Sequence, residues 1–106
     1  MSSEIQRGAV WRVPTVGRER TVLVIENNAV IRLHPGGIIC VVIQEAEDAR
    51  DTLVTVPIEH PVRGVVMAPD IAAFRPRRFE EGKLLGYVSA EDLERVSRAV
   101  RAVLDL

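Results

Sequence analysis

Short, largely continuous apolar runs separated by turn residues make up most of this chain, and apolar residues recur on a helical period at its end. The runs Ala9 to Val13, Thr21 to Ile25, Ile38 to Ile43 and Leu53 to Ile58 are short, rich in β-branched residues and bounded by Gly, Pro, Asn or Asp, the pattern of strands separated by turns. The third run is almost continuously apolar, which predicts burial on both faces. Gly64 to Ala68 reads as a fifth strand. After Pro69 a further short extended piece, Ile71 to Phe74, ends at Arg75-Pro76, because a residue before proline is pushed away from helix. Asn27 to Leu33 opens with capping residues and predicts a turn or a single helical turn before His34-Pro35-Gly36-Gly37. Glu80-Glu81-Gly82 reads as a turn, and Lys83 to Val88 as a last edge strand.

From Ser89 the period becomes helical. Ser89 with Asp92 three residues later resembles a capping box in which Asp replaces the usual Glu. Leu93, Val96, Val100, Val103 and Leu104 share one face, and Glu94, Arg95, Arg98 and Arg101 face away. The expected architecture is mainly β, strand-rich from 7 to 88, with a carboxy-terminal amphipathic helix at about 89–105 covering a small, strongly bent sheet.

Composition narrows the function classes. At 106 residues the chain has the length of one domain, and 47% hydrophobic with 27% charged residues fits a soluble globular protein. No stretch approaches the ~18 apolar residues of a membrane-spanning helix, and the amino terminus lacks the features of a secretory signal, so a cytoplasmic, non-membrane protein is expected. Cys40 is the only cysteine, which leaves no internal disulfide, and its setting in Gly37 to Ile43 predicts a small buried hydrophobe. His34 and His60 each precede a proline and belong in turns, without the spaced partners zinc requires. Neither a metal nor a cofactor is expected. Trp11 reads as core or dimer interface rather than as a base-stacking platform.

A net charge of -1 argues against a simple polycation, yet every basic residue except Lys83 is arginine, the side chain suited to bidentate phosphate contact. Acids crowd at Glu45, Glu47, Asp48 and Asp51, whereas Arg18 with Arg20 and Arg75 with Arg77 and Arg78 form basic clusters far apart in sequence. If the fold joins those clusters, they make a local anion site despite a nearly neutral total. The segments Arg7 to Val13 and Arg20 to Glu26, linked through Arg18 and Glu19, describe a hairpin with a cationic tip.

The order of these segments resembles the MazF/PemK toxins of bacterial toxin-antitoxin pairs, and through them the CcdB-like fold. Arg7-Gly8-Ala9-Val10-Trp11 is similar to the family's first strand. Arg20-Thr21-Val22-Leu23-Val24-Ile25 is similar to its R-P-[VA]-[VL]-V-[IL], with Thr21 in place of proline. Gly64 to Phe74 resembles the fifth-strand segment, and Leu85 to Leu93 the start of the final helix. The resemblance implies an SH3-like small barrel of five to seven strands that forms a homodimer and holds single-stranded RNA near the dimer interface. It further implies an antitoxin peptide or protein as partner and metal-independent RNA cleavage with the ribose 2′-hydroxyl as internal nucleophile.

Arg20 matches the family's functional arginine and is the first catalytic candidate, placed to neutralise charge on the cleaving phosphate. The departures are specific. The usual longer first loop is missing between Val13 and Gly17. Ile43-Gln44 stands where the family supplies a Thr or Ser hydroxyl at the end of the third strand. Ala72 and Arg75 stand at the Arg and Asp of the PemK branch. With that carboxylate gone, Glu19 and the more distant Asp70 are the candidate bases, Glu19 being taken as the catalytic one. Arg18, Gln44, Asp70, Arg75 and Arg77 are the candidate RNA contacts. Two other readings remain open on the residues alone: a non-catalytic barrel that binds a protein such as DNA gyrase or acts as a regulator, and a barrel that recruits nucleic acid without cutting it.

Overall fold

Hydrogen-bonded pairing begins with the hairpin of β1 (Ala9–Thr15) and β2 (Arg18–Val24). Its turn is Val16-Gly17, where Gly17 takes φ +82°, a conformation costly for residues with a Cβ. The register sets Trp11 opposite Val22, Arg12 opposite Thr21 and Thr15 opposite Arg18. The computed structural model describes residues 4–45 and 51–106; Glu47 and Asp48 of the acidic run lie outside them. Its remaining elements are α1 (Asn28–Leu33), β3 (Ile38–Gln44), β4 (Thr55–Ile58), β5 (Gly64–Phe74), α2 (Pro76–Glu80), β6 (Lys83–Tyr87) and α3 (Ala90–Leu104). The strands form one antiparallel, curled sheet of six in the order β4-β5-β3-β2-β1-β6. This is the small, helix-covered β architecture expected from the sequence.

Alternation along the strands divides the interior into two layers. Ala9, Trp11, Val13, Val22, Val24, Ile38 and Cys40 pack on one face with Ile31 of α1 and Phe79 of α2. Val10, Leu23, Val41, Ile43, Val66 and Ala68 pack on the other with Val96 and Ala99 of α3. Both layers are needed because the middle of the sheet is apolar on both sides: Cys40 and Val41, neighbours in β3, are fully buried in opposite clusters. Double burial does not extend along all of β3, since Ile39 and Gln44 are exposed.

α3 starts as the capping pattern predicts, with the Asp92 amide donating to Ser89 Oγ at 3.1 Å. Its inward face is Val96 and Ala99, flanked by Val100 and Val103; Leu104, expected on that face, is exposed. The Arg7 guanidinium ties the helix to the sheet by donating to the Ile25 carbonyl and to Ser97 Oγ. Ser89→Ala removes one satisfied amide at the helix start and is expected to lower stability by about 1 kcal/mol, read as a reduced midpoint in urea with an unchanged slope.

Three local expectations are corrected. Thr55–Ile58 is shorter than the predicted fourth strand, with Leu53 left exposed before it. The pieces either side of Pro69 are one strand, β5, interrupted in register: Val42 pairs with Met67 and Val41 with Ile71, so residues 68–70 form an excursion from the ladder. Proline has no amide to donate to a ladder, and the excursion is where that lack is tolerated. Finally, Pro76 begins the helix α2 as well as ending the strand before it, since a proline in the first turn forfeits no hydrogen bond.

Candidate active site

The pairing of β2 with β3 stops at Thr21 and Ile43, so Arg18 to Arg20 overhang the end of β3. Beneath the overhang lies a groove of about 530 Å³ lined by Arg12, Arg18, Glu19, Arg20, Thr21, Val42, Ile43, Gln44, Glu45, Met67 and Asp70. Asp70 reaches it from the β5 excursion. At the opening of β5, a Cβ on Gly64 would lie 2.6 Å from the Gln44 carbonyl oxygen, so the absence of a side chain there lets β5 press against the end of β3.

Strand alternation gives the groove two sides. Arg18 and Arg20 share the phase of Val22 on β2, and Gln44 that of Cys40 and Val42 on β3, on the α1/α2 face. Arg12, Glu19, Thr21 and Glu45 belong to the α3 face, in phase with Val10, Leu23 and Ile43. Because the hairpin extends past β3, both sets open on the same space.

The carboxylate side is organised by hydrogen bonds. Glu45 Oε1 accepts from Arg12 Nη2 at 2.6 Å and from Thr21 Oγ1 at 2.8 Å. The Thr21 hydroxyl and the Arg12 guanidinium, in that order, hold the Glu45 carboxyl below the usual carboxylate range, against a weaker opposing effect of burial. Thr21 itself is buried, 7% exposed. On the arginine side, the Arg18 and Arg20 side chains make no ion pair or hydrogen bond among the described residues.

Of the residues predicted from sequence, Arg18, Glu19, Arg20, Gln44 and Asp70 come together here. Arg75 and Arg77 do not. With Arg78 and Glu81 they line a separate depression of about 390 Å³. Arg77 Nε pairs with Glu81 at 3.1 Å, and Arg78 Nη1 donates to the Pro14 carbonyl at 3.4 Å, which fastens that cluster to the hairpin. The two basic clusters, on β2 and at the start of α2, thus line separate depressions instead of merging.

Arg12, Thr21 and Glu45 were missed as site residues. The signal was present: a two-residue period in a tight hairpin sets Arg12 beside Thr21, and Thr21 replaces a proline of the family pattern with a hydroxyl. That hydroxyl sits on the rung of Ile43, next to the position from which the expected Thr or Ser is missing.

Trp11 is core, 5% exposed, with its ring edge-on to Phe79 at a centroid distance of 5.5 Å. Cys40 is fully buried, and burial, aided by the charge of Glu26, pushes its thiol far above the ordinary range. Among the described residues no His, Cys, Asp and Glu side chains converge as a metal-ligand set.

Comparison with known proteins decides the family. PemK-like, MazF-like toxins of type II toxin-antitoxin systems match residues 6–104. The chain belongs to this family. Its fold is that of solved members: an endoribonuclease from Mycobacterial species (TM-score 0.82, 24% identity, 95% of this chain and 91% of that one) and an endoribonuclease in complex with its cognate antitoxin from Mycobacterial species (0.81, 24%, 95% of each). The Mycobacterium tuberculosis toxin MazF-mt6 is also similar (0.74, 19%, 92% and 97%). No curated protein gives a significant match. Within a PemK/MazF toxin, the overhanging hairpin and its groove are where this chain sets Arg18 and Arg20, whose side chains have no partner among the described residues. No helix among the described residues is long and apolar enough to cross a membrane.

Proposed function

We propose that this toxin is an endoribonuclease that cuts single-stranded RNA through the ribose 2′-hydroxyl. In such a reaction the 2′-oxygen bonds to phosphorus and the bond to the 5′-oxygen breaks, leaving a cyclic phosphate and a 5′-hydroxyl. The protein must hold the strand, accept the 2′-hydroxyl proton and neutralise the charge that builds on the phosphoryl oxygens. The observation that carries the reading is the half-buried Arg20, with Arg18 beside it, neither side chain paired among the described residues, at the mouth of a groove that also holds carboxylates. Arginine remains charged at any working pH and its planar fork donates to two phosphate oxygens.

Arg20 stabilises the reacting phosphate in this reading, and Arg18, Gln44 and Asp70 contact the strand in the groove. Arg75 and Arg77, in the separate depression at α2, receive the phosphates that leave the groove. The partners are single-stranded RNA, an antitoxin segment competing for the same groove, and a second copy of the chain. The solved relatives that carry an antitoxin support the second of these.

The test is cleavage of a panel of single-stranded RNAs by purified protein with a chelator present. Fragments with 5′-hydroxyl ends that vanish when every ribose is replaced by 2′-deoxyribose are expected. RNA left intact across a broad panel overturns the proposal and returns the fold to a protein-binding role.

A further inference from the structure

A ribonuclease that uses the 2′-hydroxyl needs a proton acceptor, and the two carboxylates that sequence reasoning supplied are poorly prepared for it. Glu19 is at the exposed hairpin tip and Asp70 is exposed in the β5 excursion. Neither is held by a side-chain partner among the described residues. Glu45 is exposed as well, but it is held by two. Its Oε1 takes the Arg12 guanidinium at 2.6 Å and the Thr21 hydroxyl at 2.8 Å, and both partners rise from the paired rung Arg12–Thr21 of the hairpin. A group whose position is fixed before substrate arrives loses less freedom in the transition state.

The direction of the Thr21 bond matters. Its only proton points at Glu45, so its oxygen presents lone pairs to any other neighbour. Where the small exposed part of Thr21 reaches the groove, such an oxygen can accept a hydrogen bond from a ribose hydroxyl, and the more exposed carboxylate beside it can take the proton onward. Strand alternation sets this acceptor side opposite the side bearing Arg18 and Arg20. A strand lying across the rim would have its nucleophile and its phosphoryl oxygens served from different sides.

Resting on the ribonuclease reading, we propose that Glu45 is the proton acceptor of the cleavage reaction, acting through Thr21, with Arg12 as the residue that positions the carboxylate. The 2′-hydroxyl donates its proton to Thr21 Oγ1 as Thr21 passes its own to Glu45. The freed 2′-oxygen bonds to phosphorus, the bond from phosphorus to the 5′-oxygen breaks, and the departing oxygen takes a proton from water. Glu45 then returns its proton to solvent. The charged and titratable groups that share the groove with Glu45 are Arg12 of β1, Arg18, Glu19 and Arg20 of β2, and Asp70 of β5. With its pKa held below the ordinary range, Glu45 is ionised and ready at neutral pH, and the rate should decline only as pH falls through that lowered value.

The experiment compares wild type with Glu45→Gln, Thr21→Val and Thr21→Ser. It uses a short RNA that the wild type cuts, and the same oligonucleotide carrying a 2′-deoxy residue at the cut for binding. Glu45→Gln and Thr21→Val are expected to cut at least ~10²-fold more slowly. Both should bind the uncleavable oligonucleotide within about threefold of wild type, and Thr21→Ser should stay within about tenfold in rate. The acid limb of the wild-type pH profile should vanish from the residual activity of Glu45→Gln. If Glu45→Gln fails to fold, Glu45→Asp serves in its place and should keep an acid limb at a reduced rate. A folded Glu45→Gln that cuts at the wild-type rate, or that retains the acid limb, overturns the proposal while leaving the ribonuclease reading intact. A Thr21→Val that cuts normally overturns the relay. Wild type that leaves every RNA whole overturns both.

Discussion

Arg20→Ala is expected to slow RNA cleavage by ~10²–10³-fold, the usual consequence of removing one donor aimed at developing negative charge. The melting temperature should hardly change, because the Arg20 side chain is only half-buried and has no ion pair or hydrogen bond among the described residues. Arg20→Lys keeps the charge but replaces a planar fork with a point charge, and should recover only part of the rate. Single-turnover cleavage of one RNA by the three proteins, beside their thermal melts, separates these outcomes. Equal rates in wild type and Arg20→Ala would remove Arg20 from the chemistry.

The largest effect on stability is expected at Phe79. Its ring is 1% exposed and meets Trp11 edge-on at 5.5 Å, closing the layer formed by Val13, Val22 and Cys40. Truncating a buried phenylalanine leaves a cavity that the sheet cannot collapse to fill, so Phe79→Ala should cost ~3–5 kcal/mol. For a domain of this length each kcal/mol lowers the melting temperature by roughly 4–8 °C, which makes the loss plain in a thermal scan. A change of less than about 1 kcal/mol would show that α2 is not seated as the structure has it.

That residue also marks where sequence reasoning stopped. Strands were legible because short apolar, β-branched runs between turn residues mark a sheet packed on both faces, as in Val22, Leu23 and Val24, all fully buried in alternate layers. The helix after Ser89 was legible from its cap and its 3.6-residue period. The five residues of α2 were not, since a single turn carries too few apolar positions to show a period, and Phe79 alone reaches the core. Within the site, Arg20 was legible from the family pattern, and Gln44 and Asp70 from their places at strand ends. Arg12 and Glu45 were hidden for a different reason. Each looks like an ordinary surface charge in one dimension, and only the register that sets Arg12 beside Thr21, and Thr21 beside the end of β3, turns them into a network.

The overhang of the β1–β2 hairpin beyond β3 has a consequence for how such proteins diversify. The candidate site is carried by strand ends that project past the last shared rung, while the buried layers begin with Val22, Leu23 and Val41 just inside it. Exposed positions such as 18, 19, 44 and 70 can be exchanged without repacking either layer. If the groove binds RNA as proposed, a lineage can alter which strand it selects by drift at the rim alone. A combinatorial library confined to those positions would sample recognition at nearly constant stability.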